Sequence, residues 1–143
     1  MRTHTTTLTI EFGDCDPAGI VFYPNYFRWM DAGTWHYFRA AGIDWQGRDD
    51  GVFGQPLVDA QARFVAPATY GEPVEVDTTI IEWRSKSFVV QHVIRRGETV
   101  LAEGREIRVF ARKRPDDPTR IQAVAPPADV QAACMRDESV RGD

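Results

Sequence analysis

A single long apolar helix, set in a chain otherwise made of short alternating strands, constrains this sequence more than any other feature. From Pro24 to Ala41, Tyr26, Trp29, Met30, Gly33, Tyr37, Ala40 and Ala41 recur at intervals of three and four, the spacing of one helical face. Phe27, Trp35 and Phe38 add apolar surface elsewhere on the helix, so the pattern predicts one covered on more than one side. Pro24 suits the first helical position, where its missing N–H would be an orphan, and Gly42 suits the closing turn. Strands are expected at Thr5–Phe12 before the helix, and at Pro56–Val65, Val74–Ile81, Ser87–Ile94, Thr99–Lys113 and Arg120–Val124 after it. In the last long strand Ile107, Val109 and Ala111 alternate with Glu106, Arg108 and Arg112. An antiparallel sheet with one helix to cover it is most economically wrapped around that helix, giving an α+β fold in one domain over residues 1–135. Residues 136–143, rich in charge, are expected to form a disordered C-terminal tail.

Composition narrows the function classes. A chain of 143 residues can bury enough surface to fold without disulfides or metal. Cys15 and Cys134 are isolated thiols with no CxxC pattern, which fits a reducing cytoplasm. The N-terminus lacks an apolar signal core, and no apolar run approaches the ~20 residues of a membrane span. A net charge of −4 argues against a nucleic-acid partner. That charge is divided unevenly: 5 basic and 12 acidic residues up to Glu82, then 12 basic and 9 acidic beyond it. The basic half is either a solvated strand face or a grip for a small polyanion.

The stretch before the helix is the candidate for chemistry. Gly13-Asp14-Cys15-Asp16-Pro17-Ala18-Gly19 places two carboxylates in a Gly/Pro turn next to a helix start, where free N–H groups and the dipole can hold an electron-rich oxygen. By spacing alone it is either an active-site loop or an ordinary strand-to-helix turn. Other site patterns are missing: there is no GxSxG, GxGxxG, GxxxxGK[ST] or HExxH, and His4, His36 and His92 have no ligand spacing. Asp31, among apolar helix neighbours, reads at this level as a solvent-facing residue able to pair with Arg28.

These blocks together carry a family resemblance. Glu11 to Val21, Tyr23-Pro24-Asn25-Tyr26, Arg28 to Ala32, Gly54-Gln55-Pro56, Glu82 to Phe88 and Glu106 to Phe110 resemble the 4-hydroxybenzoyl-CoA thioesterase family of hotdog-fold proteins over about residues 8–130. The resemblance implies a cytoplasmic hydrolase acting on an acyl-CoA substrate of hydroxybenzoyl type. It implies no cofactor, coenzyme A being part of substrate and product, no metal, and a homotetramer built as a dimer of dimers. Asp16 matches the catalytic carboxylate, as nucleophile or general base. The backbone N–H of Tyr23 matches the group that binds the thioester oxygen. Asp31 matches the carboxylate that accepts a hydrogen bond from the ring hydroxyl across a subunit interface, and Gln55 lies near the acyl pocket. Arg84, Lys86, Ser87 and Arg120 match positions that hold the coenzyme's phosphates.

The chain also departs from the pattern. Ser85 and Gln122 stand where arginines occur and Gln55 replaces a threonine, while Phe22 and Phe27 are unusual beside Tyr23 and Tyr26. These changes leave other acyl groups open: benzoyl, aminobenzoyl, hydroxynaphthoyl or short aliphatic. A hydratase would need a His–Asp or His–Glu pair that the spacing does not supply, and a non-catalytic acyl-CoA-binding module would bind without releasing thiol.

Overall fold

In a computed structural model the expected helix forms as α1, Pro24–Ala40, and packs against the strands of a single sheet. The structure describes residues 1–136 and the backbone of residues 139–142. The strands are β1 (Thr3–Thr9), β2 (Leu57–Phe64), β3 (Pro73–Trp83), β4 (Ser87–Arg96), β5 (Thr99–Lys113), β6 (Ile121–Val124) and β7 (Ser139–Gly142), with a second helix, α2, over Ala128–Met135. Their order is β2-β5-β4-β3-β1-β7, with β6 paired to β5. Neighbours are antiparallel except β1 and β7, which are parallel. This is the α+β arrangement expected of the sequence, one long helix against one antiparallel sheet.

Two missing side chains let α1 lie close to the sheet. A Cβ on Gly33 would stand 2.7 Å from Thr78 Oγ1 and 3.3 Å from Val76 Cγ1 of β3, and one on Gly104 of β5 would run into the Met30 thioether. Two apolar clusters form along this contact. At the start of α1, Tyr26, Trp29 and Met30 meet Val76, Ile94 and Leu101; at its end, Tyr37 and Phe38 meet Ile80, Phe88 and Phe110. Each such buried side chain contributes roughly 1.5–3 kcal/mol. Between the clusters, the middle of α1 and of the three strands it faces turns polar: Thr34 of α1, Thr78 of β3, His92 of β4, and Glu106 and Arg108 of β5 are all buried.

Three expectations need correction. β1 begins and ends earlier than Thr5–Phe12, because Ile10 bonds to the turn at Gly71–Glu72 and Phe12, 77% exposed, enters a 3₁₀ turn over Phe12–Asp14. The Ala-rich segment after Pro127 forms α2, unforeseen, with Val130, Ala133 and Cys134 buried against the core and the Tyr37 hydroxyl donating to the Cys134 carbonyl at 3.2 Å. The tail expected over 136–143 falls partly outside the described residues. Where its backbone is described, at Ser139–Gly142, it is a short strand beside β1 rather than a frayed end.

Candidate active site

The loop into α1 gives its two aspartates different partners. Asp14 ties the loop together: its Oδ2 accepts the Glu11 N–H at 2.9 Å, and its carbonyl accepts the Phe22 N–H and the Asn25 side-chain amide, each at 2.8 Å. Asp16 closes the tight turn that follows. Its N–H donates to the Ile20 carbonyl (2.9 Å), its carbonyl accepts from Gly19 N–H (2.8 Å), and its Oδ1 accepts from Ala18 N–H (2.9 Å). Gly19, at φ +83°, supplies the left-handed conformation that this turn requires. The second Asp16 oxygen bonds to nothing among the described residues.

Tyr23 caps α1 directly ahead of Pro24, and its carbonyl accepts from Tyr26 N–H at 3.1 Å. Its own N–H, an orphan donor of the helix start, has no acceptor among the described residues. Asp16 and Tyr23 line one cavity of about 380 Å³, whose far wall is the chain from Phe64 to Ala68 leaving β2. Phe64 makes ring contacts with Tyr23, Tyr26 and Phe27 at centroid separations of 6.2, 5.3 and 6.4 Å. Sequence reading gave Phe64 no site role; only its place at the end of a strand leading back to the helix start could have pointed to it.

Asp31 does not pair with Arg28, which bonds instead to Asn25. Its Oδ1 accepts from Arg108 at 2.8 Å while its side chain stays 55% exposed. Arg108 also donates to both oxygens of Glu106 (3.1 and 2.7 Å) and to the Gln55 carbonyl (3.0 Å). Burial disfavours the Glu106 carboxylate, but hydrogen bonds from His92 and Arg108 outweigh it and lower its pKa to about 2. Burial likewise opposes the Arg108 cation, and Glu106 and Asp31 overcome it, raising its pKa above the ordinary arginine value. Gln55 is itself 2% exposed, and neither polar atom of its side chain has a hydrogen-bond partner among the described residues.

A His–Glu pair therefore exists where spacing offered none: a ring nitrogen of His92 lies 2.8 Å from Glu106 Oε1, and the other lies 2.9 Å from Thr78 Oγ1. Both side chains are sealed, at 0% and 2% exposure, so no substrate reaches them in this chain.

Arg84, Lys86 and Ser87 form the β3–β4 turn, closed by the Arg84 N–H on the Ser87 carbonyl at 2.8 Å. The Arg84 guanidinium is held by Glu82. Lys86 and Arg120, in the turn before β6, are exposed and without an ion pair among the described residues. These groups do not meet the Asp16 cavity within one chain. Phe64 pairs with Ala102 on β5, whereas Leu57 pairs with Arg108 and Ser87 with Val109. Seven residues of strand separate Ala102 from Val109, roughly 23 Å. Asp31 lies eight residues along α1 from Tyr23, roughly 12 Å.

Comparison with known proteins gives the family and the fold. Residues 10–134 match the family model of the thioesterase-like superfamily. A 4-hydroxybenzoyl-CoA thioesterase from Pseudomonas sp. (strain CBS-3) is 43% identical over 93% of this chain and 98% of its own. An aspartate-to-asparagine mutant of a 4-hydroxybenzoyl-CoA thioesterase, complexed with 4-hydroxybenzoyl-CoA, superimposes with a TM-score of 0.86 at 41% identity, covering 94% of this chain and 99% of that one. A gentisyl-coenzyme A thioesterase superimposes with a TM-score of 0.76 at 34% identity, covering 90% and 98%. With its sheet, its single long helix and its aspartate loop accounted for, the chain belongs to the thioesterase-like superfamily and has the hotdog fold.

Proposed function

We propose that the chain hydrolyses an aromatic CoA thioester of the hydroxybenzoyl type to free acid and CoA. One observation carries the reading: Asp16 and Tyr23 line the same cavity at a helix start, and one carboxylate oxygen of the first and the N–H of the second have no partner among the described residues. The 4-hydroxybenzoyl-CoA thioesterases similar to the chain support the choice of substrate.

The free Asp16 oxygen attacks the thioester carbon, and the carbonyl oxygen takes up negative charge against the Tyr23 N–H. A fixed donor of this kind is worth ~2.7–4 kcal/mol. The C–S bond breaks and CoA leaves as its thiolate, a leaving group that needs no strong acid. Water then cleaves the acyl-aspartyl anhydride, restoring the Asp16 carboxylate and releasing the acid and a proton. Asp16 acting as a base on water would use the same two groups. Asp31 accepts a hydrogen bond from the ring hydroxyl, Gln55, only 2% exposed, backs the acyl end from beneath the surface, and Arg84, Lys86, Ser87 and Arg120 hold the phosphates, Arg84 exchanging Glu82 for them.

This assignment needs a second copy, because the reacting groups and the acyl- and phosphate-holding groups lie at opposite ends of β2 and β5. β2 is a free sheet edge with Leu57, Val58, Phe64 and Val65 exposed. Pairing two such edges about a two-fold axis sets the Phe64 end of one copy beside the Leu57 end of the other, uniting each Asp16 with the partner's Asp31. Two such dimers make the tetramer. The two free cysteines fit a cytoplasmic setting.

Thiol release from 4-hydroxybenzoyl-, benzoyl-, hydroxynaphthoyl- and short aliphatic acyl-CoA tests the proposal. Release is expected to be fastest with the hydroxybenzoyl ester and to fall about a thousandfold or more in Asp16→Asn. A variant keeping most of the rate would remove Asp16 from the chemistry. Binding without thiol release would make the chain a carrier.

A further inference from the structure

Arg108 is a buried cation with a full counter-charge that nevertheless reaches out to a second, exposed carboxylate. Its Nε and Nη2 lie 3.1 and 2.7 Å from the two oxygens of Glu106, a forked pair that already supplies the opposite charge. The side chains of that pair are 3% and 2% exposed. Asp31 is therefore not needed to neutralise Arg108, yet Nη2 also donates to Asp31 Oδ1 at 2.8 Å. That bond takes up one Asp31 oxygen. The other has no partner among the described residues and belongs to a side chain 55% exposed.

The guanidinium is fixed from behind. Glu106 Oε1 accepts from Thr34 at 2.7 Å and lies 2.8 Å from His92, whose other nitrogen meets Thr78. Nη1 reaches the Gln55 carbonyl at 3.0 Å, tying the chain ahead of β2 to the same group. One planar group thus holds the Asp31 side chain of α1 and the Gln55 backbone in register. A flexible ammonium could not hold both at once.

We infer that Arg108 is the positioning residue for substrate selection: anchored by Glu106, it aims one oxygen of Asp31 at the ring hydroxyl and keeps the Gln55 backbone in register with it. The inference rests on the reading of Asp31 as the group that accepts that hydroxyl. Displacing such a group by about 1 Å costs on the order of a hundredfold in rate, whereas an unsubstituted ring makes no use of it.

The test compares kcat/KM for 4-hydroxybenzoyl-CoA and benzoyl-CoA in the full-length protein. Arg108→Lys keeps the charge and loses the fork, and is expected to lower the hydroxybenzoyl-to-benzoyl ratio about tenfold or more. If that variant does not fold, Glu106→Gln/Arg108→Gln removes both buried charges together and carries the same expectation. A purely structural role would depress both substrates alike. In an Asp31→Ala background the Arg108 change is expected to leave the ratio where Asp31→Ala puts it. A ratio within about twofold of wild type in a folded Arg108 variant, with Asp31→Ala lowering it, overturns the inference. An unchanged ratio in Asp31→Ala itself withdraws the reading beneath it.

Discussion

Asp14 and Asp16 stand two residues apart and differ only in what surrounds them. Asp14 spends its carboxylate on the Glu11 N–H and its carbonyl on α1, while Asp16 gives one oxygen to its own turn and leaves the other free. No spacing rule separates them; the bonds do. Glu106 makes the same point in the core. Unfolded, it binds a proton near the ordinary glutamate value of about 4.3; folded, held by His92 and Arg108 against the penalty of burial, it binds one only near pH 2. The unfolded chain therefore carries more protons between these values, so the stability that Glu106 supplies is full above about pH 5 and drains away as pH falls towards 2. Urea unfolding at pH 7, 5, 4 and 3 is expected to show this decline, and Glu106→Gln should flatten it. A wild-type curve of constant stability across that range would contradict the assigned environment.

At the scale of elements, α1 and β5 are joined by what they lack. Gly33 can take no side chain without displacing Thr78 Oγ1, and Thr78 is held by His92 at 2.9 Å. Gly33→Ala, normally helpful in a helix, is expected to destabilise by about 1–3 kcal/mol in denaturant unfolding, since the overpacked neighbour cannot yield. No loss, or a gain, would mean that Thr78 gives way to the added methyl. The elements themselves were largely legible. The sequence predicts α1 over Pro24–Ala41 and the helix runs to Ala40, and β5 keeps its expected limits, because period and length agree over those stretches. The facing of β5 was not legible. Its alternation of Ile107 and Val109 with Glu106 and Arg108 is real, yet Glu106, Arg108 and Phe110 are the buried set. Alternation sets the phase of a strand; which phase turns inward depends on Asp31, Thr34 and His92, brought in from other elements. α2 has no signature in the sequence, because eight residues are too few for a helical period to emerge from an Ala-rich run.

For the whole molecule the decisive fact is separation. One chain holds both halves of the proposed site at opposite ends of its sheet, and the exposed β2 edge offers the way to join two copies. The resemblance implies the residues of each half and an Asp31 that acts across a subunit interface; the strand register adds the physical reason, since it sets the two halves about seven strand residues apart in one chain. The most direct test mixes two impaired chains. Asp16→Asn and Asp31→Ala subunits are co-assembled and assayed on 4-hydroxybenzoyl-CoA, beside chains carrying both changes. If each site takes Asp16 from one copy and Asp31 from the other, random pairing restores about a quarter of the wild-type sites. The mixture should then far exceed the mean of the two separate variants, and the doubly changed chain should stay inactive. A mixture no more active than that mean would contradict a site shared between copies.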